Sequence, residues 1–391
     1  MQYDFDQIIN RADTDSIKYD KMKYFFGRND LQPLWVADMD FATPDFILSD
    51  LKNRLKHPIL GYTMRKPIFF ESYKNWAKKR YNWEVQNQWL DFSPGVVGAL
   101  AIAILALTDE NDEIIIQPPV YHPFFEVIKG NQRKLVENPL QKNSNGTYQM
   151  DFDDLRNKIT DQTKMILIAN PHNPVGRVWN KEELQQLGDI AVQNNLIILS
   201  DDIHADFVYK PHRYIPIASL NSAVAQQTIT VTSPSKTFNI AGLSTSVVII
   251  PNEKYRQKYN RKLTDMHLFL GNIFGNIALV SAYQKGEEWL EQLLQYLKTN
   301  RDFVIHYLNK KIPAVKPVAP EGTFLMWLDF SNTGLPHEKI KDILINKALL
   351  ALNDGKSFGT NGEKYFRLNF ALPRPKLKEA LQKLEIFSTN K

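Results

Sequence analysis

Four short runs of this sequence are apolar or β-branched at nearly every position: Glu113–Gln117, Met165–Ala169, Leu196–Ser200 and Thr228–Thr232. A strand with one wet face alternates apolar and polar side chains, because successive residues point to opposite sides. Runs without that alternation belong to strands covered on both faces, as in a parallel sheet sandwiched by helices. Helical patterns occur between them. The stretch Lys181–Leu187 starts a helix for which Asn180 is the natural N-cap. This alternation predicts an α/β unit over residues 46–285 with a mostly parallel sheet. The remainder reads as a smaller α+β unit. It has one long helix over Gly286–Lys311, a strand over Thr323–Leu328 and a helix from His337 to Leu349. A strand over Tyr365–Phe370 and a final helix from Pro375 to Phe387 complete it. Residues 1–45 lack strong periodicity and are expected to lie against this framework.

Composition removes several chemistries. With no cysteine among 391 residues, disulfides, thiolate nucleophiles and Cys-built metal centres are excluded. A formal charge of +5 is too small for a nucleic-acid-binding footprint, so no nucleic-acid partner is expected. The longest apolar run, Val96–Leu107, is well short of the ~20 residues that span a bilayer, so no membrane partner is expected. The opening residues Met1–Asp6 carry two acids and no basic, apolar leader, which predicts a cytoplasmic protein. Neither a P-loop nor a dinucleotide fingerprint occurs, and His337-Glu338 fails as a zinc helix because Lys341 stands where the second histidine must be.

Four segments carry candidate chemistry. In Thr232-Ser233-Pro234-Ser235-Lys236-Thr237-Phe238 a lysine follows directly on a core strand, where an ammonium is costly to bury. A desolvated amine there can condense with an aldehyde, and Ser233 and Ser235 can donate to an anion. The plainer alternative is a solvated lysine on a polar loop. In Ser200-Asp201-Asp202-Ile203-His204 two acids and a histidine end another core strand, the sheet edge where ligands bind. Asp201 can hold a protonated ring nitrogen. A metal site, or an N-capping role for Asp202, are the competing readings. The segment Asn170–Gly176 is a loop by its turn chemistry, with Asn173 at the same edge. Finally, Ser93-Pro94-Gly95-Val96-Val97-Gly98 opens an apolar helix whose free N–H groups suit an anion.

In this order and at these separations the four segments resemble the fold-type I enzymes that use pyridoxal 5′-phosphate (PLP), the class I/II aminotransferase superfamily. Within it the chain is most similar to the MalY/PatB group of cystathionine β-lyases, or C–S lyases. The likeness rests on Leu34–Phe41, Gly61-Tyr62-Thr63, Pro119–Phe124, Ser200–His204 and Ser233–Leu243. It implies that Lys236 joins PLP and later moves the substrate's α-proton, that Asp201 faces the ring nitrogen, and that Asn173 and His204 bind the ring's phenolic oxygen. Tyr121 would stack on the ring. The backbone of Val97 and Gly98, with Ser233, Ser235 and a partner subunit's Tyr62, would hold the phosphate. Arg367, the backbone near Ala37 and Asp38, the side chain of Tyr121 and Asn173 would contact substrate, Arg367 as a fork on the α-carboxylate. Many aminotransferases carry a phosphate-binding arginine eight residues after the lysine. Here that position is Ser244, which favours the lyase. The resemblance thus implies β-elimination from L-cystathionine and related cysteine S-conjugates to a thiol, pyruvate and ammonia, by a homodimer with its sites at the interface. An aminotransferase of aromatic or bulky amino acids, and a PLP-binding regulatory partner protein with residual lyase activity, are the alternatives.

Overall fold

The computed structural model describes residues 2–388. Its centre is a seven-stranded sheet in the order Leu90–Ser93, Ser246–Ile249, Thr228–Thr232, Ile197–Asp201, Thr163–Ala169, Glu113–Ile116 and Lys134–Glu137. Ser246–Ile249 runs antiparallel to both of its neighbours, and every other pairing is parallel. The four apolar runs all become strands of this sheet, and their two sets of side chains separate as the pleat requires. Ile114, Ile116, Met165, Leu167, Leu199 and Ile229 pack on one face with the helix Val96–Leu107. Ile115, Ile166, Ile168 and Ile198 pack on the other with the helix Lys181–Gln193. Asn180 caps that second helix by accepting from the Glu183 N–H at 2.8 Å, while Glu183 accepts from the Asn180 N–H at 2.9 Å.

Leu90–Ser93 and Lys134–Glu137 have no continuous apolar run to mark them, whereas Ser246–Ile249 has one, Val247-Val248-Ile249-Ile250, beyond the four runs above. Lys134–Glu137 lies at a sheet edge with partly exposed side chains. A second sheet of four antiparallel strands has the order Lys316–Val318, Leu325–Asp329, Tyr365–Asn369, Asn353–Asp354. The strand expected from Thr323 starts two residues later. Thr323 has a φ of +67° and its hydroxyl accepts from the Leu325 N–H at 3.2 Å, a local turn that delays the ladder. The helix expected to reach Leu349 stops at Asn346. Leu350–Ala351 instead pairs in parallel with Gln32–Pro33, so the N-terminal segment claims that backbone. The last helix runs over Arg374–Lys383 and tightens to a 3₁₀ turn over Leu384–Phe387. No helix among the described residues is long and apolar enough to cross a membrane.

Candidate active site

Three adjacent parallel strands, Thr163–Ala169, Ile197–Asp201 and Thr228–Thr232, end at one rim of the sheet with Ala169 opposite Asp201 and Asp201 opposite Val231. The chain leaves these strand ends into Asn173, His204 and Lys236. The Gly95 turn and Tyr121 follow the strands Leu90–Ser93 and Glu113–Ile116 at the same rim. All of them border a cleft of about 160 Å³, which Ala37, Val97, Asp201 and Ser235 also line.

Lys236 sits in a single helical turn, Pro234–Thr237. Ser233 caps the turn by accepting from the Ser235 N–H at 3.0 Å and donates its own proton to the Thr245 carbonyl at 2.7 Å. Its hydroxyl is therefore already engaged and does not reach the cleft, whereas Ser235 lines it. The Lys236 amine donates to the Ala37 carbonyl at 2.7 Å. Burial lowers its pKa below the usual lysine range, with the Arg367 charge adding to that effect and Asp38 and Asp201 opposing it.

Asp201 is 4% exposed, and one of its oxygens accepts from the Ile203 N–H at 3.1 Å. Burial pushes its pKa up to about 7, against the pull of that N–H and of Lys236. A buried carboxyl with so little support is a partner in waiting for a cationic N–H. Asp202 does not cap a helix, since none starts there. It accepts from the Ser200 hydroxyl at 2.5 Å and from the Tyr214 hydroxyl, and it does not line the cleft. Burial drives the His204 pKa down to about 3, with Lys236 and Arg367 reinforcing it, so the ring is neutral. Its buried Nδ1 has no partner.

Arg367 comes from the other sheet, yet it meets this rim. It donates to Asn173 Oδ1 at 3.0 Å, to the Trp35 carbonyl at 2.7 Å and to Asn353 Oδ1 at 2.6 Å. Its guanidinium carbon lies 5.1 Å from the Phe358 ring centroid. The residue is 2% exposed, its Nε has no partner, and burial lowers its pKa to about 10. Among the described residues it has no carboxylate partner, and a buried cation held only by neutral oxygens calls for an anion. Tyr121 lines the cleft as a neutral phenol, raised to about 12 by burial and then by the Asp201 charge.

The helix Val96–Leu107 begins at the cleft behind Gly95, whose φ of +103° only glycine adopts freely. It presents the first-turn N–H groups of Val96, Val97 and Gly98 there. Asp38 differs from the expectation of a substrate contact. Its carboxylate is gripped by Arg11 at 2.7 and 3.0 Å, its carbonyl accepts from Asn369 and Lys18, and it does not line the cleft. Tyr62 is 99% exposed and takes no part in this chain's own cleft. Sequence reasoning missed Thr245. Its Oγ1 is buried without a partner, and the residue lines the cleft beside Ser244. A hydroxyl just before a core strand is the signal that was there to be read.

Comparison with known proteins bears on this site. The family model described as aminotransferase class I and II matches residues 36–384. The cystathionine beta-lyase PatB of Bacillus subtilis is 38% identical over 382 residues, 97% of this chain and 98% of that protein. A PLP-bound protein from Clostridium difficile 630, carrying a provisional aminotransferase name, superposes with a TM-score of 0.97 at 46% identity, covering 99% of this chain and 100% of its own. The PLP-bound C–S lyase from Staphylococcus hominis superposes with a TM-score of 0.92 at 36% identity, covering 100% of this chain and 99% of its own.

Proposed function

Because the chain belongs to the class I and II aminotransferase family, we propose that it is a PLP-dependent carbon–sulfur β-lyase, cleaving L-cystathionine and related cysteine S-conjugates to a thiol, pyruvate and ammonia. One observation carries the site assignment: a lysine amine, a buried under-supported carboxyl and a buried arginine without an anion meet at one rim. The donors suit the cofactor. Thr245 Oγ1 and the first-turn N–H groups are available to a phosphate, and among the described residues His204 Nδ1 is unpartnered and Asp201 accepts one hydrogen bond. Bound there, PLP supplies an aldehyde for an amine to join and a conjugated ring that takes up electron density from the substrate's Cα.

The residues of the chain do the rest. Arg367 holds the substrate carboxylate as a planar fork, backed by Asn173, which fixes the direction of the Cα–H bond. Lys236, whose pKa burial lowers, takes the proton from Cα as general base. Asp201 keeps a proton on the ring nitrogen, and a cation placed against it favours its ionised form over the neutral one that burial alone imposes. Tyr121 and the helix start exclude water from one side. Ser244, in place of a phosphate-binding arginine, and the C–S lyase relatives favour elimination over amino transfer.

A homodimer is part of this reading. The segment around Tyr62 exposes Leu55, Ile59, Leu60 and Met64 at 54–77%, an apolar stretch that supports burial against a second copy. The division into residues 46–285 and residues 1–45 with 286–391 is supported by the separation of the two sheets. The test is the product spectrum. With cystathionine alone, thiol, pyruvate and ammonia should accumulate together. Conversion of cystathionine to its own 2-oxo acid, dependent on an added 2-oxo acid as amino acceptor and releasing no thiol, would overturn the lyase in favour of a transaminase.

A further inference from the structure

The segment Leu34–Phe41 is bonded along its whole length. Six consecutive carbonyls, from Leu34 to Met39, accept hydrogen bonds from outside the segment. Leu34 accepts from the Asn369 N–H at 2.9 Å, Trp35 from Arg367 at 2.7 Å, Val36 from Asn369 Nδ2 at 2.8 Å and Ala37 from Lys236 at 2.7 Å. The Asp38 carbonyl accepts from Asn369 Nδ2 at 2.6 Å and from Lys18, and that of Met39 from Asn239 at 3.0 Å and Arg11 at 3.2 Å. Lys236 and Arg367, which come from different sheets, thus end on carbonyls two residues apart.

What fixes this segment is a charge cluster. Arg11 pairs with both oxygens of Asp38 and with Asp40 at 2.7 Å, and Lys18, itself 0% exposed, pairs with Asp40 at 2.9 Å. Two cations and two anions cancel, so the cluster carries no net charge, and its geometry is its product. From the lysine side, Asn239 accepts from the Met39 N–H at 3.2 Å and donates to the Phe41 carbonyl at 2.8 Å. We propose that Arg11 and Lys18 are positioning residues for Lys236: by clasping Asp38 and Asp40 they hold the Ala37 carbonyl and the Asp38 carboxylate where the free lysine amine finds an acceptor and an anionic neighbour. The inference rests on the proposed role of Lys236. Asp38 and Asp201 face that amine and favour its charge, Arg367 disfavours it, and His204 and Tyr121 are neutral beside it.

The sign of one shift separates positioning from its rivals. Mix the full-length cofactor-free protein with PLP, record the initial rate at which the visible band grows, and plot it against pH. The midpoint reports the free Lys236 amine. If Arg11 positions the acceptors, Arg11→Met loosens them and the midpoint falls, by on the order of half a pH unit, with Arg11→Lys in between. If Arg11 acts only through its charge, its loss raises the midpoint. If it is only structural, the midpoint stays. A rise or no change overturns the proposal. Asn239→Gly removes the bracket from the other side without altering charge and keeps the φ of +56° accessible. It should lower the midpoint too, and it decides the matter should Arg11→Met not fold. A wild-type chain that grows no band removes the PLP reading and this inference with it, whereas a wild-type band with unmoved variants removes this inference alone.

Discussion

Asp206→Ala is the perturbation whose cost the structure lets one work out most directly. Asp206 is 6% exposed and gathers three donors: Trp76 Nε1 at 3.0 Å, the Tyr81 hydroxyl at 2.6 Å and the Thr237 hydroxyl at 2.8 Å, with Arg80 Nε at 3.4 Å. Each bond to a charged acceptor contributes about 1.5–3 kcal/mol, and donors left unpaired in a dry site cost more than a pair removed together. Neighbouring bonds are not additive, so a loss of about 4 kcal/mol is expected for Ala. Thr237→Val, which removes a single donor, should cost about 1.5–3 kcal/mol. Chemical denaturation of both variants and of the double variant measures these losses, and the double should cost less than the sum. Thr237 adjoins Lys236, so the Ala variant should also lose cofactor under conditions where it remains folded. An Asp206→Ala protein within about 1 kcal/mol of wild type would refute the claim that this carboxylate anchors the lysine turn.

Three further outcomes are expected. Lys236→Ala should lack the visible band, and borohydride should no longer fix the cofactor to the chain; a band that survives would mean another lysine is responsible. In the cofactor-free protein burial holds the Asp201 pKa at about 7, against 3.8 for an ordinary aspartate, so the native state binds the extra proton between those values. Its contribution to stability is therefore present at low pH and lost as pH rises through about 7, and Asp201→Asn should flatten that part of the wild-type stability profile, as denaturation at a series of pH values would record. Thr245→Val removes a buried hydroxyl that has no partner. It should leave the cofactor-free protein as stable or about 1 kcal/mol more stable while weakening PLP binding several-fold by titration; unchanged affinity would take Thr245 out of the phosphate site.

The continuous apolar runs determined the core of this protein without help. A strand buried on both faces must be apolar on both, as Ile114-Ile115-Ile116 and Met165–Ala169 are. The helix over Lys181–Gln193 and its Asn180 cap were equally local matters. The strand-end positions of Asp201, Asn173 and Lys236 followed from those runs, because the residue after a parallel strand has to emerge at the sheet's carboxyl rim.

Contacts between residues far apart in the chain decided the remainder. The edge strand Lys134–Glu137 is half exposed and so carries no distinctive pattern. The helix from His337 stops at Asn346, short of Leu349, ahead of the short strand Leu350–Ala351, whose hydrogen bonds are completed by Gln32–Pro33, over three hundred residues away. The backbone near Asp38 is expected beside substrate from the sequence, and only the fold brings Arg11 and Lys18 to its carboxylate. Thr245 became a candidate ligand only when its hydroxyl proved to be buried without a partner. Hydrophobic periodicity records what a residue's own strand or helix requires of it. The partner of a charge or a hydroxyl is set by whichever distant segment the fold delivers, and neither residue's neighbours in sequence encode that meeting.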